Sequence, residues 1–327
     1  VSVLYCISFK KKANNMLKGN RTILALHAFI RPPHHRAIPS TGPNGVVVNR
    51  ELLVHQFRDF YRTLQQSALI DKLHVMTERP AFESVCAADQ LVCIGSTYLG
   101  MPMVGNEHRA SEFMETMRYV RAAGGPSTVG TYLQDSESCR CASGDIVALP
   151  HGIAVGHGAR TNAPAVQTLK DLFEIHDDVA PYDVVPLEQE GDAPPLGDYF
   201  GFAGNNVLLA WKDEHGMLAV DQYQQARSPS ADGNQQETPN LPVVYLEPGC
   251  HFLSFYGADH CNDVLVQKGY DRSMDSLSAM GLNPIPVQWS EMDKLGVSMR
   301  ASVLLMPFLD TRSGGMLSRV KSRGPRW

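Results

Sequence analysis

The sequence has no acidic residue in its first 50 positions and none in positions 312–327, although Asp and Glu number 34 in the 327-residue chain. Every acid therefore falls within residues 51–311, where sixteen Lys/Arg face thirty-four Asp/Glu for a net charge of −18. An acidic body with basic ends lacks a broad cationic face, so any nucleic-acid contact belongs to the ends or to a local groove. No apolar run approaches the ~18 residues needed to span a bilayer. The aliphatic start Val1–Ile7 is too short for a secretory core, and its basic cluster follows it rather than precedes it. These absences predict a soluble protein with no membrane partner. No C-x₂-C pair occurs among the seven cysteines, which removes a zinc or disulfide framework and suits a reducing compartment. No glycine-rich phosphate fingerprint follows an early strand, which argues against a nucleotide-binding doubly wound sheet.

The chain that remains reads as alternating strands and helices. Residues 1–20 form a basic segment expected to be flexible, with the composition of a mitochondrial presequence remnant or of an ordinary basic tail. Thr22–Ile30 reads as a buried strand stopped by Arg31-Pro32-Pro33. Leu53, Phe57, Phe60, Tyr61 and Leu64 fall at helical spacing behind Asn49 as cap. Lys72–Met76, Gln90–Ile94, Ile146–Leu149, Ile153–Val155, Asp183–Pro186, Asn206–Ala210, Val243–Leu246 and Phe252–Tyr256 read as strands. Helices are expected around Phe113, Met117 and Val120, after the cap Asn162, and over Asp271–Met280 with Met274, Leu277 and Met280 inward. Residues 226–241 read as an inserted polar loop. Ser302–Met306 is a short apolar strand closed by Pro307. Strand–helix units recurring every 45–60 residues suggest a repeat architecture closed on itself.

The most specific string is Gly144–Asn162, a Gly-Asp pair, two short strands, a Val-Gly step and Arg160-Thr161-Asn162. It resembles the third repeat of the dimethylarginine dimethylaminohydrolases. The likeness extends to His27–Pro32, to Cys86–Cys93 as that family's acidic strand, to Phe202–Ala210, and to Pro284–Lys294 followed by Ser298–Leu305. It spans roughly residues 22–308. The resemblance implies an α/β fold of the pentein α/β-propeller type, five ββαβ repeats about a pseudo-fivefold axis. It implies a single domain over 21–310 and a basic C-terminal tail over 311–327.

The family's reaction needs a thiolate, a proton-shuttling histidine and carboxylates that hold a planar cation. Carried over residue by residue, the nucleophile position falls on Ala301. The histidine falls in Ala193–Gly197, at Pro195, and one of two paired acids falls on Ala88. Asp89, Arg109 and Arg160 remain as a remnant pocket. The resemblance thus implies a pseudoenzyme with no cofactor and no metal. The pairs Cys250-His251, His260-Cys261 and Cys139-x-Cys141 lack zinc-site spacing. A relocated thiol, Cys86 or Cys93, is the enzymatic alternative, although apolar buried cysteines are usually inert.

A degenerate member of this kind resembles the hydrolase-like core subunits of the kinetoplastid mitochondrial RNA-editing substrate-binding complex. That implies protein partners within an RNA-editing complex, a mitochondrial location, and contact with guide RNA or mRNA directly or through partners. The residues available for direct contact are Lys10, Lys11, Lys12, Arg319, Lys321, Arg323, Arg326 and Trp327, where basic groups and a terminal aromatic can neutralise phosphate and stack on a base. A plain flexible tail is the alternative reading of these ends. The sequence leaves homo-oligomerisation open.

Overall fold

The structure, a computed structural model, describes residues 24–309 apart from 68–69, 95–96, 103–106, 126–132, 134–137, 150–151, 176–182, 205–206, 228–239 and 255–261. The basic segment 1–20, the tail 311–327, the centre of the 226–241 loop and all eight residues assigned to RNA contact lie outside the described residues.

Among the described residues, fourteen strands form five small sheets. In the first, β1 (Leu24–Ile30) pairs antiparallel with β14 (Val303–Leu309) and parallel with β2 (Lys72–Val75). The others are β3 (Leu91–Ile94) with β4 (Thr97–Gly100), and β5 (Ile146–Leu149), β6 (Gly152–His157) and β7 (Asp183–Glu188). They continue with β8 (Phe200–Ala203), β9 (Val207–Trp211) and β10 (Val243–Leu246), then β11 (Phe252–Ser254), β12 (Asp263–Gln267) and β13 (Asn283–Val287). In the four three-stranded sheets the first pairing is antiparallel and the second parallel. A parallel neighbour needs a long crossover, and a helix supplies it each time: α1 (Arg50–Gln66), α3 (Ala163–Ile175), α5 (Glu214–Arg227) and α6 (Asp271–Ala279). The remaining helices are α2 (Ala110–Ala122), which follows β4, and the single turns α4 (Leu196–Tyr199) and α7 (Ser290–Asp293). This is the ββαβ unit repeated, with the pairing of β14 and β1 joining the last unit to the first.

The helices form where the apolar period and the caps agree. Asn49 accepts from Leu52 N at 3.0 Å, and α1 buries Leu53, Phe57, Phe60 and Leu64 against the first sheet. Asn162 accepts from Ala165 N at 3.2 Å at the head of α3. Gly124 and Gly281 follow α2 and α6 with φ of 92° and 75°, the left-handed geometry that ends helices. Trp289 is fully buried, its ring 4.7 Å from Phe60 and its Nε1 donating to Val297 O at 2.8 Å. Asn49 N donates to Glu291 at 2.8 Å and Gln56 donates to Ser290 at 2.9 Å, so α1 is locked to α7.

Four expectations change. Pro307 does not close the last strand: it lies inside β14, opposite Leu26, at a sheet edge where a missing N–H is tolerated. Met280 is 38% exposed beyond the end of α6, whose buried residues are Ser273 and Leu277. Asp89 lies in a 3-10 turn, Ala87–Asp89, ahead of β3 rather than on the strand. Ala226 and Arg227 belong to α5, which shortens the polar loop at its start. Among the described residues no helix is long and apolar enough to cross a membrane.

Candidate functional site

A cavity of about 590 Å³ lies where the five sheets meet. Its wall takes residues from every sheet: Val303 from β14 and Leu26 from β1, Val92 from β3, Val147 from β5, Phe202 from β8 and Leu253 from β11. The five sheets therefore face one common space, as blades face an axis. Ala301, Ala88, Pro195, Asp89 and Arg160 all line it, so the sequence places five of the six carried-over positions on one surface. Arg109 is buried behind Asp89 rather than on the wall.

Asp89 is held from inside. Arg109 Nη1 donates to its carboxylate at 2.8 Å, and Arg109 Nη2 donates to Cys86 O at 3.1 Å and Glu112 Oε2 at 3.3 Å. Burial pushes the Asp89 carboxyl above the usual carboxylate range, against the pull of Arg109. Glu112 in turn accepts from Ser84 at 2.5 Å and Gln90 at 2.6 Å, while Arg31, wholly buried, lies 3.5 Å from Glu115. A sequence reading that treats Arg31 as the end of a strand misses this network, because its partners are contributed by α2 and by the turns before β3.

Arg160 works on backbone. Its Nη1 donates to Ala193 O at 2.6 Å; Nη2 donates to Pro194 O at 2.8 Å and to Asp145 and Gln189 at 3.1 Å each. Asp145, fully buried, also accepts from Thr161 Oγ1 at 2.9 Å and Leu196 N at 3.1 Å. The Gly144-Asp145 and Arg160-Thr161-Asn162 motifs are thus two halves of one clamp on Ala193–Leu196, the segment to which the resemblance assigns a histidine. Gly144 is required there: a Cβ on it would fall 2.9 Å from Pro195 Cβ.

Arg300 and Asp198 were not singled out by sequence, and both line the cavity. Arg300 precedes Ala301 at the approach to β14 and donates through Nη2 to Ile146 O. Asp198, on α4, has its carboxyl pushed up by burial, while His251, a hydrogen bond from Ser298, and Arg300 pull it down. His251 is itself bonded to Asp293 at 3.0 Å. Among the described residues no His, Cys, Asp and Glu cluster could hold a metal ion.

The thiols of the cavity wall are Cys86, Cys93 and Cys141. Burial pushes Cys93 and Cys141 up to about 12 and raises Cys86 well above the ordinary thiol value. A thiol held protonated at neutral pH is a poor nucleophile.

Four three-stranded ββαβ sheets and the two-stranded β3–β4 sheet around a central cavity have the architecture of a pentein, an α/β propeller. Among solved structures, a dimethylarginine dimethylaminohydrolase from Pseudomonas aeruginosa aligns with TM-score 0.64 and 17% identity over 86% of this chain and 98% of that one. The N-terminal domain of ArgZ, an arginine dihydrolase from cyanobacteria, aligns with TM-score 0.61 and 13% identity over 86% and 97%. Identities this low establish the fold alone. Comparison with curated protein sequences gives no match. A family model for the RNA-editing substrate-binding complex 5 protein matches residues 25–310, and the chain belongs to that family.

Proposed function

We propose that this chain is a non-catalytic, pentein-fold assembly subunit of a mitochondrial RNA-editing substrate-binding complex in kinetoplastids, acting in the matrix on guide RNA and mRNA together with protein partners. Family membership supports the complex. What supports the loss of chemistry is the cavity wall: the resemblance assigns the nucleophile to Ala301, whose carbonyl accepts from the N–H of Ala88, where the resemblance assigns one of the paired acids. Catalysis by Cys86, Cys93 or Cys141 is disfavoured because burial keeps each thiol protonated. The charge distribution favours RNA contact at the basic ends, through Lys10–Lys12 and Arg319–Trp327, over contact by the acidic body.

The test is affinity purification of the tagged chain from mitochondria, with and without nuclease. The reading expects a fixed set of protein subunits to survive nuclease treatment, with guide RNA recovered in the untreated sample. Recovery of the chain alone, or of partners that all depend on RNA, contradicts it.

A further inference from the structure

The cavity has an arginine in its wall, Arg300. The Arg300 side chain enters it from the turn before β14, and Nη2 donates to Ile146 O on β5. The Nη1 end of the guanidinium abuts Gly197: a Cβ built there would collide with Nη1 and Cζ. Glycine is thus the residue that leaves room for this guanidinium, and it belongs to the Pro-Pro-Leu-Gly segment that the Asp145–Arg160 clamp holds in place. The carboxylates that interact with Arg300 are Asp198 and Asp145. Asp145 is already engaged by Arg160, Thr161 and Leu196 N, which leaves Asp198, itself on the cavity wall, as the counter-ion. Nη1 is buried without a hydrogen-bond partner, so the guanidinium is positioned by shape and charge more than by a full set of acceptors.

We infer that the guanidinium of Arg300, seated on Gly197 and Ile146 O, occupies a cation-binding position in the wall of this cavity, and that a free alkylguanidinium can take that position only when the Arg300 side chain is removed. The inference deepens the non-catalytic reading and rests on it: a pocket whose cation position is taken from within has no use for a guanidino substrate. The geometry decides the class of ligand. A planar cation with donors at both ends can reach the Ile146 carbonyl and abut Gly197 at once, whereas a compact ammonium could not do both.

The experiment compares the full chain with Arg300→Ala, titrating ethylguanidinium chloride in the millimolar range, with ethylammonium chloride as control, and reading thermal midpoint and calorimetric binding. The inference expects saturable ethylguanidinium binding to Arg300→Ala, none to the wild type, no response to ethylammonium, and affinity reduced about tenfold or more when Asp198→Asn is added. Equal binding by wild type and variant, no binding by Arg300→Ala, or indifference to Asp198→Asn overturns it. If Arg300→Ala folds poorly, Gly197→Ala in the otherwise intact chain provides the second reading. Nitrogen-15 spectra of the arginine side chains should show one guanidinium with restricted rotation in the wild type that is released in Gly197→Ala. An unchanged spectrum overturns the inference. Citrulline formation by the wild type would instead contradict the non-catalytic reading, so the two failures are distinguishable.

Discussion

The N–H of Ala88 donates to the carbonyl of Ala301 at 2.9 Å. Two residues more than two hundred positions apart, to which the resemblance assigns a nucleophile and a cation-holding acid, are joined through backbone. Ala301 N donates in turn to Ser298 Oγ at 3.2 Å, so the turn before β14 keeps its shape without a functional side chain. Restoring one group to such a site leaves the others missing. Ala301→Cys is expected to fold, to stay without citrulline-forming activity on arginine or methylated arginines, and to react slowly with iodoacetamide at neutral pH. A thiolate needs an activating base or cation partner, and Ala193–Gly197 supplies no histidine. Activity measured with Ala301→Cys alone would contradict this.

Asp145 holds together the clamp that fixes Ala193–Leu196. Asp145→Ala removes an acceptor of Arg160, Thr161 Oγ1 and Leu196 N at once, leaving a partly buried guanidinium without its counter-ion and a buried N–H unpaired. The expected cost is about 3 kcal/mol in denaturant unfolding. Asp145→Asn keeps the acceptor oxygen and should lose clearly less. Equal losses would mean that charge and hydrogen bonding at this position do not matter separately.

Trp289 connects the last unit to the first. Its indole is fully buried against Phe60 and donates to Val297 O. Trp289→Ala is expected to cost about 3–5 kcal/mol, and Trp289→Phe less, because an edge-to-face ring contact with Phe60 survives while the N–H bond and part of the ring volume are lost. Chemical unfolding monitored by circular dichroism reads both.

His27 and His74 share a hydrogen bond of 3.1 Å, and burial with the neighbouring His74 and Lys72 lowers His27 to about 4. The folded state therefore binds this proton less readily than the unfolded chain, whose histidine titrates near 6.5. Stability is unaffected by His27 above that value and falls as pH drops from 6.5 towards 4. His27→Gln should flatten the fall in thermal midpoint across that window relative to wild type. An identical slope in the variant would show that His27 does not carry it.

What the sequence made legible was local. The caps Asn49 and Asn162, the apolar period of α1 and the glycines after α2 and α6 announce their elements within a few residues. The strand β13 does not, because Pro284 and Pro286 read as breakers. They fit because residues 284 and 286 present their nitrogens to the same, unpaired side, while Asn283 N on the other side donates to Asn262 O at 2.7 Å. Helix α5 was missed because its buried face is Gly216, Ala219, Val220 and Tyr223, too small and irregular to give a strong period. The site was legible in part: the resemblance brought Ala88, Asp89, Pro195, Arg160 and Ala301 to one wall. The place of Arg300 in that wall is not legible in the sequence, since it depends on Gly197 and Ile146, 103 and 154 residues away.

The central claim is that the fold persists without its hydrolytic chemistry. It is tested most directly by incubating the purified wild-type chain with arginine and with mono- and dimethylarginine, and measuring citrulline over hours against a no-protein blank. The account predicts citrulline no higher than the blank for every substrate; sustained formation that scales with protein concentration and is abolished by thiol alkylation would contradict it.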